Sequence, residues 1–286
     1  MIAAFCAGLT ITAGCQPNPP PSAEPGTSGS GIDSTWEEPA DLDRFFGDIS
    51  GTFVLLDPQS NRRIVHDAER ATSRYLPAST FKIPNSLIAL ETGVANGPDF
   101  GLAWDSIAAP RRGWWPEIWA RDHTLKTALP NSVVWFYQEL ARRIGPEPML
   151  SYLKKFDYGN AEVSGGIDEF WLTGGLRISA EEQVDFMRRF YDGKLAVSDR
   201  STRIVKDLLI IEETPDYRLS GKTGWAALGD PAEPGIGWLV GYIERADDVF
   251  FFATNIDIES DADAAARLTI TRAILRELDL MGEEVR

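Results

Sequence analysis

Apolar and polar positions change their period several times along this chain, and each change marks a segment. Ile2 to Ala13 is an apolar run too short to span a bilayer, closing on small residues and Cys15. "QPNPPPSAEPGTSGSG", residues 16–31, holds so much Pro, Gly and Ser that it cannot pack, and it predicts a flexible tether. "GTFVLLD" (Gly51 to Asp57) and "RRIVH" (Arg62 to His66), separated by Pro58, Ser60 and Asn61, predict an antiparallel hairpin. From Ser79 to about Tyr191 the pattern is mostly helical, with long loops. Its last helix is the best bounded: Ser179 and Glu182 form a capping box, Val184, Met187 and Tyr191 share one face, and Gly193 stops it. Three aromatic and β-branched runs follow, Tyr217 to Trp225, Gly235 to Glu244 and Asp248 to Asp257, and predict a meander. A closing helix carries Ala264, Leu268, Thr271, Leu275 and Leu278 on one stripe.

Strands, inserted helices, strands again and a closing helix imply an α+β fold, an antiparallel sheet flanked by helices with an inserted all-helical lobe. The first strands should pair with the last, and a site should lie between sheet and lobe. The expected boundaries are an export signal over 1–15, a tether over 16–40 and a folded domain over 41–286.

Composition narrows the function classes. The 286 residues are 43% hydrophobic, enough for a sizeable core. A net charge of -15 argues against general affinity for nucleic acid or anionic lipid, which are polyanions needing a basic face. An anionic substrate would have to be met by few, local positive groups. The only cysteines, Cys6 and Cys15, precede the folded part, so neither a disulfide framework nor a thiolate metal cage is expected there, and no H-E-x-x-H or clustered His supports a metal site. "TAGCQ" resembles a bacterial lipoprotein cleavage box, with Cys15 as the lipidated first residue. Thr12 and the lack of Lys or Arg before the apolar run depart from that pattern, and an ordinary cleaved leader or a misplaced start codon is the other reading. Export to the periplasm is expected, with membrane attachment only through a lipid at Cys15.

The chemistry concentrates in "PASTFKIPNSL", residues 77–87. With only His66 and His123 in the chain, a Ser-His-Asp triad is poorly supplied. Ser79 at the first turn of a helix would put Lys82 on the same face, within reach of its hydroxyl, while unpaired N–H groups at the turn could bind an oxyanion. Phe81, Ile83, Leu87 and Ile88 around Lys82 should desolvate the amine and lower its pKa from about 10.4, making it a base. S-x-x-K alone also describes an N-capped helix with a snorkelling lysine. "SGKTGW" adds Lys222, Thr223 and Gly224 on a predicted strand, where the glycine leaves room for a ligand's edge.

Four motifs then fall in order: Ser79-Thr80-Phe81-Lys82, Ser132-Val133-Val134, Tyr158-Gly159-Asn160 and Lys222-Thr223-Gly224. Together they resemble the class D, oxacillinase-type serine β-lactamases, and the likeness runs from about Gly51 to Leu280. The resemblance implies a serine β-lactamase/penicillin-binding transpeptidase-like fold and hydrolysis of β-lactams through a Ser79 acyl-enzyme. It implies that carbon dioxide or bicarbonate converts Lys82 to N6-carboxylysine, the general base for both half-reactions, and that no other cofactor is needed. Trp171 would donate to that carbamate, Val134 and Leu172 would wall the pocket, and Ser132 and Lys222 would pass a proton to the leaving nitrogen. Thr223 and Arg267 would hold the substrate carboxylate, Gly224 would border it, and the N–H groups of Ser79 and Trp225 would take the oxyanion. Tyr158 and Asn160 are expected as structural support. The partner is a small β-lactam, with either a monomer or a homodimer compatible. A slowly deacylating β-lactam sensor and a cell-wall transpeptidase are the alternative functions. The first usually comes with membrane helices, and the second with S-x-N where this chain has Ser132-Val133-Val134.

Overall fold

The computed structural model describes residues 36–37, 42–226 and 234–282. The N-terminal apolar run, Cys6, Cys15, most of the span read as a tether and part of the loop after Ala226 lie outside the described residues. The chain begins with β1 (Trp36–Glu37), α1 (Asp43–Phe46), β2 (Gly51–Asp57), β3 (Arg62–His66) and α2 (Ala68–Thr72). A 3₁₀ turn (Ala78–Phe81) leads into α3 (Lys82–Glu91), followed by β4 (Gly101–Leu102), a second 3₁₀ turn (Glu117–Trp119), β5 (His123–Thr124) and α4 (Leu125–Ala128). Then come α5 (Val134–Ile144), α6 (Pro146–Phe156), α7 (Ala180–Tyr191) and α8 (Asp199–Leu208). The chain closes with β6 (Ile210–Glu213), β7 (Arg218–Ala226), β8 (Gly235–Arg245), β9 (Asp248–Ile258) and α9 (Asp261–Glu277).

Seven strands form one sheet in the order β1-β3-β2-β9-β8-β7-β6. The hairpin falls where the pattern put it, Phe53 opposite His66 and Asp57 opposite Arg62. Its turn is held by the Asp57 carboxylate, which accepts from the Gln59 N–H at 3.0 Å, while Asn61 takes a positive φ of 54°. First and last strands do pair, β2 against β9 with Gly51 opposite Ile256. The sheet is antiparallel except at its edge, where β1 runs parallel to β3 within the span read as tether.

Strand alternation builds two cores. Val54, Leu56, Trp238, Val240, Phe251 and Ala253 face the helical lobe. Phe53, Leu55, Leu239, Ile243, Phe252 and Ile256 face α1 and α9. The central strand β8 is buried on both faces, so its sequence is continuously apolar. On α9 the deepest side chains are Ile270, Thr271, Ile274 and Leu275, whereas Ala264 and Leu268 are half-buried and Leu278 already lies past the helix end.

Two sequence expectations need correction. The stretch from Glu91 to Val134 is mainly loop, with one short strand pair, a 3₁₀ turn and a one-turn helix, because Pro98, Pro110, Pro116 and four glycines from Gly93 to Gly113 interrupt any helical period. Strand β6 and helix α8 were not anticipated; α8 is mostly polar and buries only Ser201, Thr202, Val205 and Leu208.

The capping box of α7 is present: the Ser179 N–H donates to Glu182 Oε2 at 2.9 Å and the Glu182 N–H to Ser179 Oγ at 3.2 Å. Helix α7 is tied to the sheet by buried Arg63, which pairs with Glu181 and, at 2.7 Å, with Asp185. The loop between α6 and α7 carries Trp171 and is held by the Tyr158-Gly159-Asn160 tripeptide. Asn160 Nδ2 donates to the Gly175 carbonyl, and Asn160 Oδ1 accepts from the Arg177 N–H, each at 2.9 Å. Gly159 has φ 55°, and a Cβ there would run into the Arg177 carbonyl oxygen. Gly159→Ala should therefore cost at least the left-handed penalty of about 1–2 kcal/mol, plus the displacement of Arg177. Thermal unfolding should show a midpoint lower by roughly 4 °C or more; an unmoved midpoint would mean that this loop does not report on the fold.

Candidate active site

Ser79 lies in the 3₁₀ turn rather than in the first turn of an α-helix, and Lys82 opens α3 immediately after it. At three residues per turn, positions i and i+3 eclipse, so the two side chains still meet. Lys82 Nζ donates to Ser79 Oγ at 2.7 Å. Phe81 anchors the turn between them: its ring stacks on Trp171 at 5.2 Å and meets Phe170 and Tyr158 edge-on at 5.0 and 5.9 Å. Ala78, one residue before the serine, has φ 49°, a strained value for a side chain with a Cβ, and its N–H is held by the Trp171 carbonyl at 3.0 Å.

Lys82 is fully buried. Phe81, Ile83, Leu87 and Ile88 are buried around it as expected, and the Tyr137 ring, contributed by α5, lies 5.4 Å from its amine. Burial, reinforced by the charge of Lys222, holds the amine well below the ordinary lysine pKa. Lys222 is 4% exposed and brought down to about 7, again by burial first and then by Arg267. Its Nζ donates to the Thr223 carbonyl at 3.0 Å and to Thr223 Oγ1 at 3.3 Å. Burial also lowers Arg267 to about 10, and its Nε and Nη1 atoms are buried without a hydrogen-bond partner among the described residues. Three basic groups thus share one region, and among the described residues no carboxylate offsets the burial of the two lysines.

Strand β7 brings Lys222 there. Its pairing with β6 ends at Ser220 opposite Ile210, and the Gly221 N–H donates to the Leu209 carbonyl at 2.8 Å. Strand alternation aims the N–H groups of Thr223 and Trp225 along that same edge, where β6 has ended. Gly224 corrects an expectation: the room it leaves is taken by the turn that carries Ser79. An added Cβ would lie 2.9 Å from the Pro77 carbonyl and 3.1 Å from Thr80 Cγ2, so the glycine lets β7 and the turn approach. The Trp225 side chain is 45% exposed.

Ser132 precedes α5 with φ 56°, a second strained residue, and its N–H donates to the Leu129 carbonyl at 3.1 Å. Helix α5 is locked against α3 through Asn85 Nδ2 to the Tyr137 carbonyl at 3.2 Å and Ser86 Oγ with Tyr137 Oη at 2.8 Å. Val134 and Leu172 are half-buried against the lobe core. Trp171 is fully buried, and its Nε1 has no partner among the described residues. Burial pushes the Tyr158 phenol up, and its ring packs on Phe81 and Phe186. Asn160 is exposed and serves the loop. His66 stacks on Phe46 at 4.1 Å, and His123 is buried with ring nitrogens on Thr127 and the Ile118 carbonyl, so both act in the scaffold. The sequence reading missed Tyr137, Ser86 and the Gln183 to Thr80 bond of 2.9 Å that steadies the turn. Asn85 and Ser86, three and four positions after Lys82, signal a polar patch behind it, but not its partner. Among the described residues no group of three or more His, Cys, Asp or Glu is placed to hold a metal ion, and no helix is long and apolar enough to cross a membrane.

A family model described as the penicillin binding protein transpeptidase domain matches residues 51–277. β-Lactamase OXA-10 of Pseudomonas aeruginosa is 42% identical over 82% of this chain and 86% of its own, and β-lactamase OXA-48 of Klebsiella pneumoniae is 43% identical over 85% and 89%. The crystal structure of the class D β-lactamase YbXI from Nostoc superposes with a TM-score of 0.80 at 44% identity, covering 84% of this chain and 99% of that one. The chain belongs to the class D β-lactamases. The class D enzyme FUS-1 (OXA-85) of Fusobacterium nucleatum is similarly close in shape, with a TM-score of 0.81 at 35% identity over 86% of this chain and all of that one.

For a class D β-lactamase site of this geometry, the buried amine carries a testable stability penalty. In the folded chain the Lys82 pKa lies well below 10.5, so between that value and the unfolded one the unfolded chain binds more protons. Stability therefore rises with pH across that window and is lost as pH falls. Lys82→Met removes the penalty. In carbon-dioxide-free buffer at pH 7 the variant should melt above the wild type, by roughly 2–4 °C for each kcal/mol released, and the gap should narrow toward pH 10. A lower midpoint in the variant at pH 7 would contradict the uncompensated burial.

Proposed function

We propose that this chain hydrolyses β-lactams through a Ser79 acyl-enzyme, with Lys82 carboxylated by carbon dioxide as the general base. The observation that carries the reading is a fully buried lysine amine 2.7 Å from a serine hydroxyl, with no carboxylate among the described residues to hold its proton. A neutral amine attacks carbon dioxide and sheds a proton, giving a carbamate; an ammonium cannot do so. The residues present suit that group. The unpartnered Trp171 Nε1 offers a donor for an anionic oxygen, and Lys222 supplies positive charge nearby.

Carboxylation would supply an anionic base within the dry pocket. Ser79 Oγ then loses its proton as it attacks the lactam carbonyl, and the Ser79 and Trp225 N–H groups take the developing oxyanion. As the C–N bond breaks, Ser132 and Lys222 deliver a proton to the leaving nitrogen; a Lys222 pKa of about 7 suits both giving and regaining it. A water deprotonated by the same base cleaves the ester and frees Ser79. Arg267, with two donor atoms unpartnered, and Thr223 take the substrate carboxylate. The leader pattern supports a periplasmic enzyme, with a lipid at Cys15 as its membrane tether.

The test follows hydrolysis of a chromogenic cephalosporin together with the acyl-protein mass, with and without bicarbonate. Turnover should fall as carbon dioxide is stripped or the pH lowered, and return with bicarbonate. Carbon-13 NMR should show a carbamate carbon that is absent in Lys82→Ala, whose turnover should drop by at least ~10³-fold. Stoichiometric acylation without turnover would point to a sensor instead, and full turnover with no carbamate signal would remove Lys82 from the base role.

A further inference from the structure

The loop 103–122 holds an arrangement that the chemistry above leaves unused. Trp114, Trp115 and Trp119 meet pairwise edge to face, with centroids 6.2, 5.7 and 5.6 Å apart. Trp115 and Trp119 are buried, yet Trp114 is 62% exposed. An indole left largely in water forgoes much of the burial that usually places tryptophan in a core. This one is held there by its neighbours.

The loop is fixed by its own bonds. The Asp105 carboxylate accepts from the Ile107 and Ala108 N–H groups at 2.7 and 3.1 Å, and Asp122 accepts from the Trp104 N–H at 2.9 Å. Trp104 Nε1 donates to the Ala109 carbonyl at 2.9 Å, and the Trp115 N–H to Arg112 at 3.0 Å. The loop also connects directly to the catalytic region. Trp119 Nε1 donates to the Asn131 carbonyl at 2.8 Å, one residue before strained Ser132, and Trp135 Nε1 donates back to the Trp119 carbonyl at 2.7 Å. Trp114 thus stands in a T-shaped contact with the residue that holds the Asn131–Ser132 turn, with most of its own surface open to solvent.

We propose that Trp114 is a specificity-determining residue: its exposed indole stacks on the side chain that a β-lactam carries on its acylamino group, so the enzyme favours aromatic acyl substituents. This rests on the hydrolase reading given above. A rigid, pre-placed aromatic surface costs little conformational entropy on binding and prefers a planar apolar partner. The substituent would occupy the mouth of the site, away from the lactam bond, so the effect belongs to binding more than to chemistry.

The test compares benzylpenicillin with 6-aminopenicillanic acid, which keeps the bicyclic nucleus and carboxylate but has no acyl group. In Trp114→Ala the ratio of kcat/KM for the first over the second should fall about 3- to 10-fold, carried by KM, and Trp114→Phe should recover most of it. An equal loss on both substrates with a lowered melting point would mean that the tryptophan only staples the loop, and an unmoved ratio would also overturn the proposal. A second measurement does not depend on turnover. In a Ser79→Ala background, calorimetry should show benzylpenicillin binding weakened 3- to 10-fold by Trp114→Ala. If the wild type hydrolyses neither compound but this difference persists, the hydrolase reading fails and the stacking stands; if hydrolysis is intact and the difference is absent, the stacking fails alone.

Discussion

A lysine amine buried without a counter-charge is the condition on which the site depends. Burial of a cation is unfavourable, and here it is made worse by a second lysine in the same region, so the protein lowers the proton affinity of Lys82 rather than compensating it. Nearly every nearby feature serves that end. Phe81 packs among Phe170, Trp171 and Tyr158, and Tyr137 closes the other side through its bonds to α3. The fold gives up stability to hold this amine well below the ordinary lysine pKa, the trade expected where a buried charge is retained rather than replaced by an apolar side chain.

Several buried donors around this pocket are left over among the described residues, beside one buried acceptor, Asn85 Oδ1. Trp171 Nε1 and Arg267 Nε and Nη1 are donors without acceptors, and the Thr223 and Trp225 N–H groups point along an edge where the neighbouring strand has ended. Buried donors are rarely left unpaired, and several in one place describe a region complementary to anionic oxygen. A chain with a net charge of -15 thus sets three basic groups, Lys82, Lys222 and Arg267, in one region. Two residues with positive φ, Ala78 before Ser79 and Ser132 before α5, add local backbone strain in this region. Such strain persists because the surrounding bonds over-determine it, as the Trp171 carbonyl does for the Ala78 N–H.

Much of this was readable in the chain. The hairpin, the three long strands and the capping box follow from alternation and turn chemistry, which are local properties, and the pairing of first with last strands from the order of elements along the chain. The proximity of Ser79 and Lys82 follows from spacing alone, in a 3₁₀ turn as in an α-helix, because both place i and i+3 on one side. What escaped was non-local or weakly patterned. Helix α8 is too polar to announce a buried face, β6 is mostly exposed, and the long loops replaced helix wherever proline and glycine broke the period. Gly224 was assigned to the ligand because a flat strand residue invites it, yet its neighbour is the Pro77 carbonyl, far away in sequence.

By itself the sequence determined that Ser79 and Lys82 meet, that the four motifs follow in order and that Lys222 lies on a strand, since each is read from residues a few positions apart. Only the tertiary structure decided that Lys82 has no counter-ion among the described residues, that Trp171 and Arg267 keep donors unspent there, and that Trp114 stands beside the Ser132 turn. These are properties of what surrounds a side chain, and surroundings are assembled from segments that local periodicity does not connect. Periodicity reports which face of an element is buried; it does not report what that face will meet.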